Sequence, residues 1–254
     1  MTIKTLAAVA AVGCAFALNA DVTSANIVGY NSADKADLQY VSVGVGFANV
    51  GDEGVFTLGQ IVPKDGCWDS GSDILQVLNN TAAKTVATYV YYGAWEGAEE
   101  DEIGWWDSDF NDMYNDLEFP VGAAFLGNFG TKAVEFQQSG SVLTGGTTLD
   151  FITKQYVMLG NILPKSIKFG DIKPFEGCWD SGSDILQVLN DTAAKTIATY
   201  VYYGAWEGAE EDEIGWWDSD FNDMYNDLDV NPGDAWLGNF GAKDVKLAFP
   251  GALD

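Results

Sequence analysis

Short runs of apolar and β-branched residues, separated by glycine and polar turns, set the pattern along the chain, and they predict strands. Ile27 to Tyr30 is a first short strand-like run, followed by a polar stretch from Ser32 to Asp37. Leu38 to Val50, rich in valine and aromatics and broken by glycines, favours strand over helix. Ile74 to Leu78 and Thr85 to Tyr92 flank the polar tract NNTAAK and predict a β-hairpin, with a short helix over Asp73 to Asn79 as the rival. From Gly93 to Glu118 neither period is sustained, and a long loop of that kind inside a compact domain is usually functional or tied down. Ala123 to Asn128 and Ala133 to Gln137 are two further strands, and the Gly, Ser and Thr-rich stretch at 139–149 is a joint.

The same succession then returns. Gly66 to Leu117 recurs as Gly177 to Leu228 with two differences, Asn80 against Asp191 and Val86 against Ile197, and weaker likeness extends on both sides. A unit of about a hundred residues is domain-sized and far longer than a solenoid repeat. The expected organisation is an export segment over 1–20, an entry strand and linker over 21–37, one β module over 38–141 and a second over 150–254. The fold class expected is all-β: two tandem, near-identical modules of β-sandwich or open-barrel-like form.

Composition narrows the function. MTIKTLAAVAAVGCAFALNA has a charged start, an apolar run and a small residue before Asp21, the form of a signal peptide. It predicts a secreted, periplasmic or cell-surface protein. Its removal would take one lysine and no acid, moving the formal charge from −26 to −27. Such a surface repels polyanions, which excludes nucleic acid and anionic membrane as partners and favours cations. The twelve basic residues are all lysine and there is no histidine. Ser-His-Asp and Cys-His catalysis, imidazole ligation and the bidentate arginine fork are therefore excluded. Beyond Cys14 there remain Cys67 and Cys178, at equivalent places in the modules. A disulfide between them needs Cα atoms within about 7 Å and so a two-fold arrangement of modules; the alternative is two small, buried thiols.

The VTSANIVGY after the export segment, the YYGAWEG and GWWDSDFND runs and the Gly-x-Ala-Phe/Trp-Leu-Gly-Asn strand resemble a group of exported, β-rich bacterial proteins of the Verrucomicrobia and Lentisphaerae kind. The resemblance covers nearly the whole chain. It implies export and repeated β modules, and it brings no activity.

The sharpest candidate chemistry is DSDFNDMYNDLE. Oxygen-bearing side chains at its positions 1, 3, 5, 9 and 12, namely Asp107, Asp109, Asn111, Asn115 and Glu118, have the spacing of a calcium loop. Asp218, Asp220, Asn222, Asn226 and Asp229 repeat it. Against an EF-hand stand Asp112 in place of the turn glycine and flanks that are not helical. The competing reading is a solvated loop rich in Asx turns. A second candidate is an aromatic platform for sugar rings, Tyr91, Trp95, Trp105 and Trp106 with Tyr202, Trp206, Trp216 and Trp217, against which stands a plain aromatic core. Adjacent Trp105 and Trp106 cannot both turn inward, so one of them is expected to face out.

Catalysis would have to run on carboxylates alone, as in a glycoside hydrolase, and no apolar partner for a proton donor is evident. The leading expectation is a non-enzymatic surface or matrix protein, binding calcium through its twin loops and contacting other copies of itself or surface polysaccharide. The alternative is a pair of carbohydrate-binding modules.

Overall fold

The computed structural model of the chain describes residues 28–35, 40–52, 54–80, 85–130, 133–191, 196–241 and 243–253. The expected export segment and the beginning of the entry strand lie outside these residues. The described chain is all-β, its helical content limited to single 3₁₀ turns. The first module comprises β1 (Val28–Lys35), β2 (Tyr40–Gly44), β3 (Val55–Thr57), β4 (Ile61–Pro63), β5 (Ile74–Asn80), β6 (Thr85–Tyr92), β7 (Gly104–Asp107), β8 (Glu118–Pro120), β9 (Ala124–Asn128) and β10 (Val134–Ser141). The second repeats that order as β11 (Thr147–Phe151), β12 (Gln155–Gly160), β13 (Ile167–Lys168), β14 (Lys173–Pro174), β15 (Ile185–Asp191), β16 (Thr196–Tyr203), β17 (Gly215–Asp218), β18 (Asp229–Val230), β19 (Ala235–Phe240) and β20 (Val245–Phe249).

Each module is a sandwich. In the first, the sheet β1-β10-β4 faces the run β2-β9-β5-β6-β7, and the second has β11-β20-β14 facing β12-β19-β15-β16-β17. The expected hairpin is β5–β6, antiparallel, with a bulge where the register shifts at Val77/Leu78. The rival short helix does not form. The first strand is longer than its apolar run: β1 reaches Lys35 and pairs with β10 from Val28↔Ser141 to Lys35↔Val134. Its polar half belongs to the sandwich, not to a linker, because a strand at a sheet edge takes its register from its partner rather than from an apolar face of its own.

The core of the first module is aromatic. Trp105 is fully buried, its indole Nε1 donates to the Ile61 carbonyl at 2.7 Å, and it meets Trp68 edge-on at 5.2 Å. Trp216, Ile172 and Trp179 repeat the arrangement in the second module at the same distances. Around this shared centre the packing has been exchanged. Phe56, Leu58, Phe119 and Phe125 of the first module face Ile167, Phe169, Val230 and Trp236 at the equivalent places in the second. Bulk lost at two positions returns at the other two, with Phe169 now stacked between Trp216 at 4.5 Å and Trp236 at 5.4 Å. Volume-conserving exchange of this kind is what a close-packed core tolerates.

The modules are not separate bodies. β2 pairs with β15 through Val41↔Asn190 and Tyr40↔Asp191, and β12 pairs with β5 through Val157↔Asn79 and Tyr156↔Asn80. The two junctions are equivalent under the repeat, so the modules are related by a pseudo-two-fold axis and share one ten-stranded sheet. A third apolar core fills the junction, built from Leu78, Ala124 and Leu126 of the first module against Met158, Leu189, Ala235 and Leu237 of the second. The joint is short. Val142 and Leu143 are buried, the Leu143 carbonyl accepts the Ala252 N–H at 2.9 Å, and only Gly145 and Gly146 are exposed between β10 and β11.

Because the three cores are joined by continuous strand pairing, the chain is expected to unfold in one cooperative transition. Leu237→Ala, which opens a hole in the junction rather than in either module, should lower stability by about 2–5 kcal/mol. Scanning calorimetry should show a single endotherm shifted down; two separated endotherms would mean that the junction does not couple the modules.

Candidate functional site

The repeated loop begins where β6 ends. Gly93 leads into a single 3₁₀ turn, Ala94–Glu96, which Gly97 closes in the left-handed region at φ 97°. Trp95 lies over Gly93, where a Cβ would stand 2.6 Å from its ring, and stacks on Tyr91 at 5.8 Å. Its indole N–H donates to the Trp68 carbonyl at 3.2 Å, and the Glu96 carboxylate accepts the Ser70 N–H at 2.8 Å. The loop base is thereby fastened to the DSGSD turn at 69–73. That turn closes on Asp73, a buried carboxylate whose two oxygens accept the Asp69 N–H at 2.8 Å and the Gly130 N–H at 2.7 Å. Asp184 does the same for Asp180 and Gly241.

Next comes β7, a strand inside the stretch whose sequence shows no period. It pairs with β6 so that Tyr91 faces Trp105 and Val90 faces Trp106. Asn115 lies over Gly104, leaving no room for a Cβ, and its Oδ1 accepts the Trp105 N–H at 2.9 Å while its Nδ2 donates to the Ile103 carbonyl at 3.3 Å. At the tip, Asp107 Oδ1 accepts the N–H groups of Asp109 and Asn111, both at 3.0 Å. These are the Asx turns of the competing reading. They force Phe110 into the left-handed region at φ 55°, and Phe221 takes φ 56° in the second loop.

The structure therefore gathers Asp107, Asp109 and Asn111 into one turn and places the other two calcium-spaced residues elsewhere. Asn115 is committed to the backbone of β7, and Glu118 sits exposed on β8, opposite Thr57. In the second loop Asp218, Asp220 and Asn222 share the tip, Asn226 holds the Trp216 N–H at 2.9 Å, and Asp229 forms an ion pair with Lys168 at 2.7 Å. That hydrogen bond holds the Lys168 ammonium above its ordinary pKa. Among the described residues no three Asp, Glu, Cys or His side chains converge as metal ligands. The salt bridges found among them, Lys64–Glu135, Lys168–Asp229 and Lys246–Asp150, leave the carboxylates at 99–116 and 210–227 facing solvent.

The aromatic platform divides. Tyr91 and Trp105, with Tyr202 and Trp216, are buried and serve the cores, so they offer no face to a sugar. Burial also raises the pKa of Tyr91, with Asp65 adding to it, and raises that of Tyr202. Trp95 and Trp206 are half-buried against them. Trp106 and Trp217 are the outward members of their pairs, half-buried like Trp95 and Trp206, with indole N–H groups donating to the Glu102 and Glu213 carbonyls at 2.9 and 2.8 Å. Two of the three most exposed rings among the described residues sit in the loops, where the aromatic runs did not point; the third, Phe175, lies outside them. Phe110 and Phe221 are each 45% exposed and meet Tyr92 and Tyr203 edge-on, with Met113 and Met224 each 37% exposed nearby in the same loops. Their signal in the sequence is an apolar residue set singly among acids, as in DSDFNDM. Cys67 and Cys178 are free, half-buried thiols, Cys67 donating to the Lys64 carbonyl at 2.9 Å.

Asp73 gives a test of the loop's anchorage. Its pKa is raised above the ordinary 3.8, burial outweighing the hydrogen bonds from Gly130 and Asp69 that pull the other way. A raised folded value means that the stability Asp73 contributes is fully present below the unfolded value and is lost as pH rises through the folded one. Denaturant melts of the wild type should thus lose stability relative to Asp73→Asn as pH rises from below 4 toward neutrality, the region around 3.8 being where the loss begins. A difference independent of pH would mean that Asp73 titrates alike in both states.

Compared with protein-family models, curated proteins and solved structures, the chain matches none, so its function is read from the twin loops themselves.

Proposed function

We propose that the chain is a non-enzymatic protein of the cell exterior, a surface or matrix component that binds bivalently through its two equivalent loops. One observation carries the reading: the same half-exposed phenylalanine, held at the same positive φ, is displayed once on each module. A bulky side chain in that region is an outlier that the surrounding structure has to enforce. Phe110 and Phe221 are then anchors, Met113 and Met224 adaptable apolar neighbours, and the surrounding carboxylates a rim that rejects polyanions. The partner this surface suits is another copy of the chain or a neutral surface polysaccharide. Trp106 and Trp217, only partly buried beside acids, favour the polysaccharide as the second reading, now on outward rings and not on the buried ones. Export rests on the signal-like leader, and the described residues contain no helix long and apolar enough to cross a membrane.

Calcium has a place in this proposal as a bridge and screen for the exposed carboxylates, with Asp107 and Asp218 kept as turn-formers. The first loop would respond more strongly, since Thr57 stands where Lys168 neutralises Asp229 in the second.

Association is measured by light scattering over a range of protein concentrations, with calcium and with chelator, and polysaccharide retention by pull-down. Phe110→Ser alone is expected to lower apparent affinity by about a hundredfold, as loss of one of two linked sites does, and Phe110→Ser with Phe221→Ser to abolish it. Binding that survives the double variant would rule out the tips as the contact surface. Titration calorimetry with calcium on Asp107→Ala provides the second measurement. If calcium sits in a cage, this variant loses the heat, whereas a bridging role leaves most of it in place.

A further inference from the structure

The repeat is near-perfect through Leu117 and Leu228 and then breaks. Phe119, Pro120, Val121 and Ala123 stand where the second module has Val230, Asn231, Pro232 and Asp234. In the second module this segment is polar and internally bonded: the Asp234 carboxylate accepts the Asn231 N–H at 2.7 Å, and Asn231 Oδ1 accepts the Ser166 hydroxyl at 2.8 Å. In the first it is apolar, and it lines a cleft of about 310 Å³ between the modules. The floor is formed by the buried side chains of Leu78, Ala124, Leu149, Val157 and Met158. Thr147, Thr148 and Gln155 stand among the lining residues as its uncharged polar groups. Among the described residues that line it, the charged one is Asp150, which is exposed and lies 3.3 Å from Lys246.

The walls are fixed. Gly160 N–H donates to the Gly122 carbonyl at 3.0 Å, Val121 N–H to Gly54 at 3.0 Å and Ala123 N–H to Pro120 at 3.0 Å. Gly122, at φ 87°, lets Leu149 close in to where a Cβ would stand 2.3 Å from its Cδ1. A volume of this size is roughly ten times the share of a liquid water molecule, and water needs two to four polar partners that an apolar floor does not supply. It lies at the lower end of the range, about 300–1,000 Å³, in which small-molecule sites fall. We infer that the inter-module cleft binds one small, uncharged apolar molecule, of roughly ten non-hydrogen atoms by the same volume share, with any hydrogen-bonding end directed to Thr147 and Thr148. The net charge of the chain and Asp150 at the cleft disfavour an anion. This goes beyond the bivalent reading and does not depend on it, because the loops occur twice and the apolar segment once.

The test uses the full chain and 1-aminonaphthalene, a neutral fluorophore whose emission rises in apolar surroundings. One saturable site per chain is expected. Ala123→Asp writes into the first module the residue that the second module carries at that place, and it is expected to weaken binding by about a hundredfold, because a charge is poorly accommodated in an apolar cleft. Ala123→Leu fills the cleft without charge and should weaken binding too, so it keeps the test open should Ala123→Asp not fold; circular dichroism and melting identify the folded variants. The inference is overturned by the absence of saturable binding, by two equal sites per chain, which would place the probe on the repeated loops, or by wild-type affinity in a folded variant. Phe110→Ser with Phe221→Ser should leave this binding untouched, which separates it from the loop proposal.

Discussion

Gly44 of β2 and Gly160 of β12 meet at the centre of the molecule, where a Cβ on Gly160 would stand 2.8 Å from the Cα of Gly44 and one on Gly44 would stand 2.6 Å from the Asp234 carbonyl oxygen. This approach allows the two modules to share a sheet. With it, Gly44 N–H reaches the Gly233 carbonyl at 2.9 Å and Gly160 N–H reaches Gly122 at 3.0 Å, the same hydrogen bond made twice in opposite senses. The strand junctions on either side are only two residue pairs long, so strand hydrogen bonding alone does not hold the modules. The leucines of the junction core supply the apolar burial, at about 25 cal/mol for each Å² removed from water, and the glycines set how closely they pack. Symmetry is broken at one point of this core: Met158 fills its place with a thioether, while its counterpart Ser42 turns its hydroxyl to the Leu189 carbonyl at 3.2 Å.

That arrangement explains how the copies diverged. The repeated block carries the loop, the hairpin and the Trp68–Trp105 centre, and the parts that hold the loop fit one another in detail: Asn115 over Gly104, Trp95 over Gly93, Asp73 closing its turn. A change at any of these leaves a buried polar group unpaired or a ring without room. The junction core likewise keeps the same residues in both modules, Leu78, Ala124 and Leu126 against Leu189, Ala235 and Leu237, apart from Met158 against Ser42. The sequences part around it instead, with Phe125 against Trp236 inside the modules' own cores and Ala123 against Asp234 beside the cleft.

Much of this was legible. Two strand-like arms flanking a polar tract gave the hairpin, and the doubled block gave two β modules of sandwich or open-barrel form. Trp105 and Trp106 had to point in opposite directions, and β7 turns Trp105 inward. The strand character of β7 itself was hidden, because its four residues GWWD alternate around one large inward ring and owe their pairing to β6 and to Asn115. The polar half of β1 was hidden for a related reason, its register coming from β10. The junction was the least legible part. Identical modules expose identical edges, and nothing in the period of a strand says that β2 will find β15 rather than a solvent edge. The calcium spacing shows the limit of a one-dimensional pattern: five oxygens at the right intervals meet only if the backbone curls around a common point, and here Asn115 and Glu118 are drawn off to β7 and β8.

The loop tips show where the stabilising interactions of the modules are spent. A left-handed phenylalanine costs roughly 1–2 kcal/mol relative to ordinary backbone, and the chain carries this cost twice, at Phe110 and Phe221. The Asp107 carboxylate, receiving two backbone N–H groups, is the immediate compensation. Behind it stand the Asp107–Asp112 backbone bond, the hydrogen bond from Tyr114 N–H to the Trp105 carbonyl, and Trp105 itself in the core. A ring left half in water at the end of such a line of support gains little from the fold that holds it. On the bivalent reading proposed above, its energetic return would lie outside the chain, in the surface that covers it. Because both tips rest on one shared sheet, their separation is set by the Gly44–Gly160 approach and not by a flexible linker. On the same reading, a partner that engaged one tip would find the other already in place, without the ordering cost that a loose tether adds.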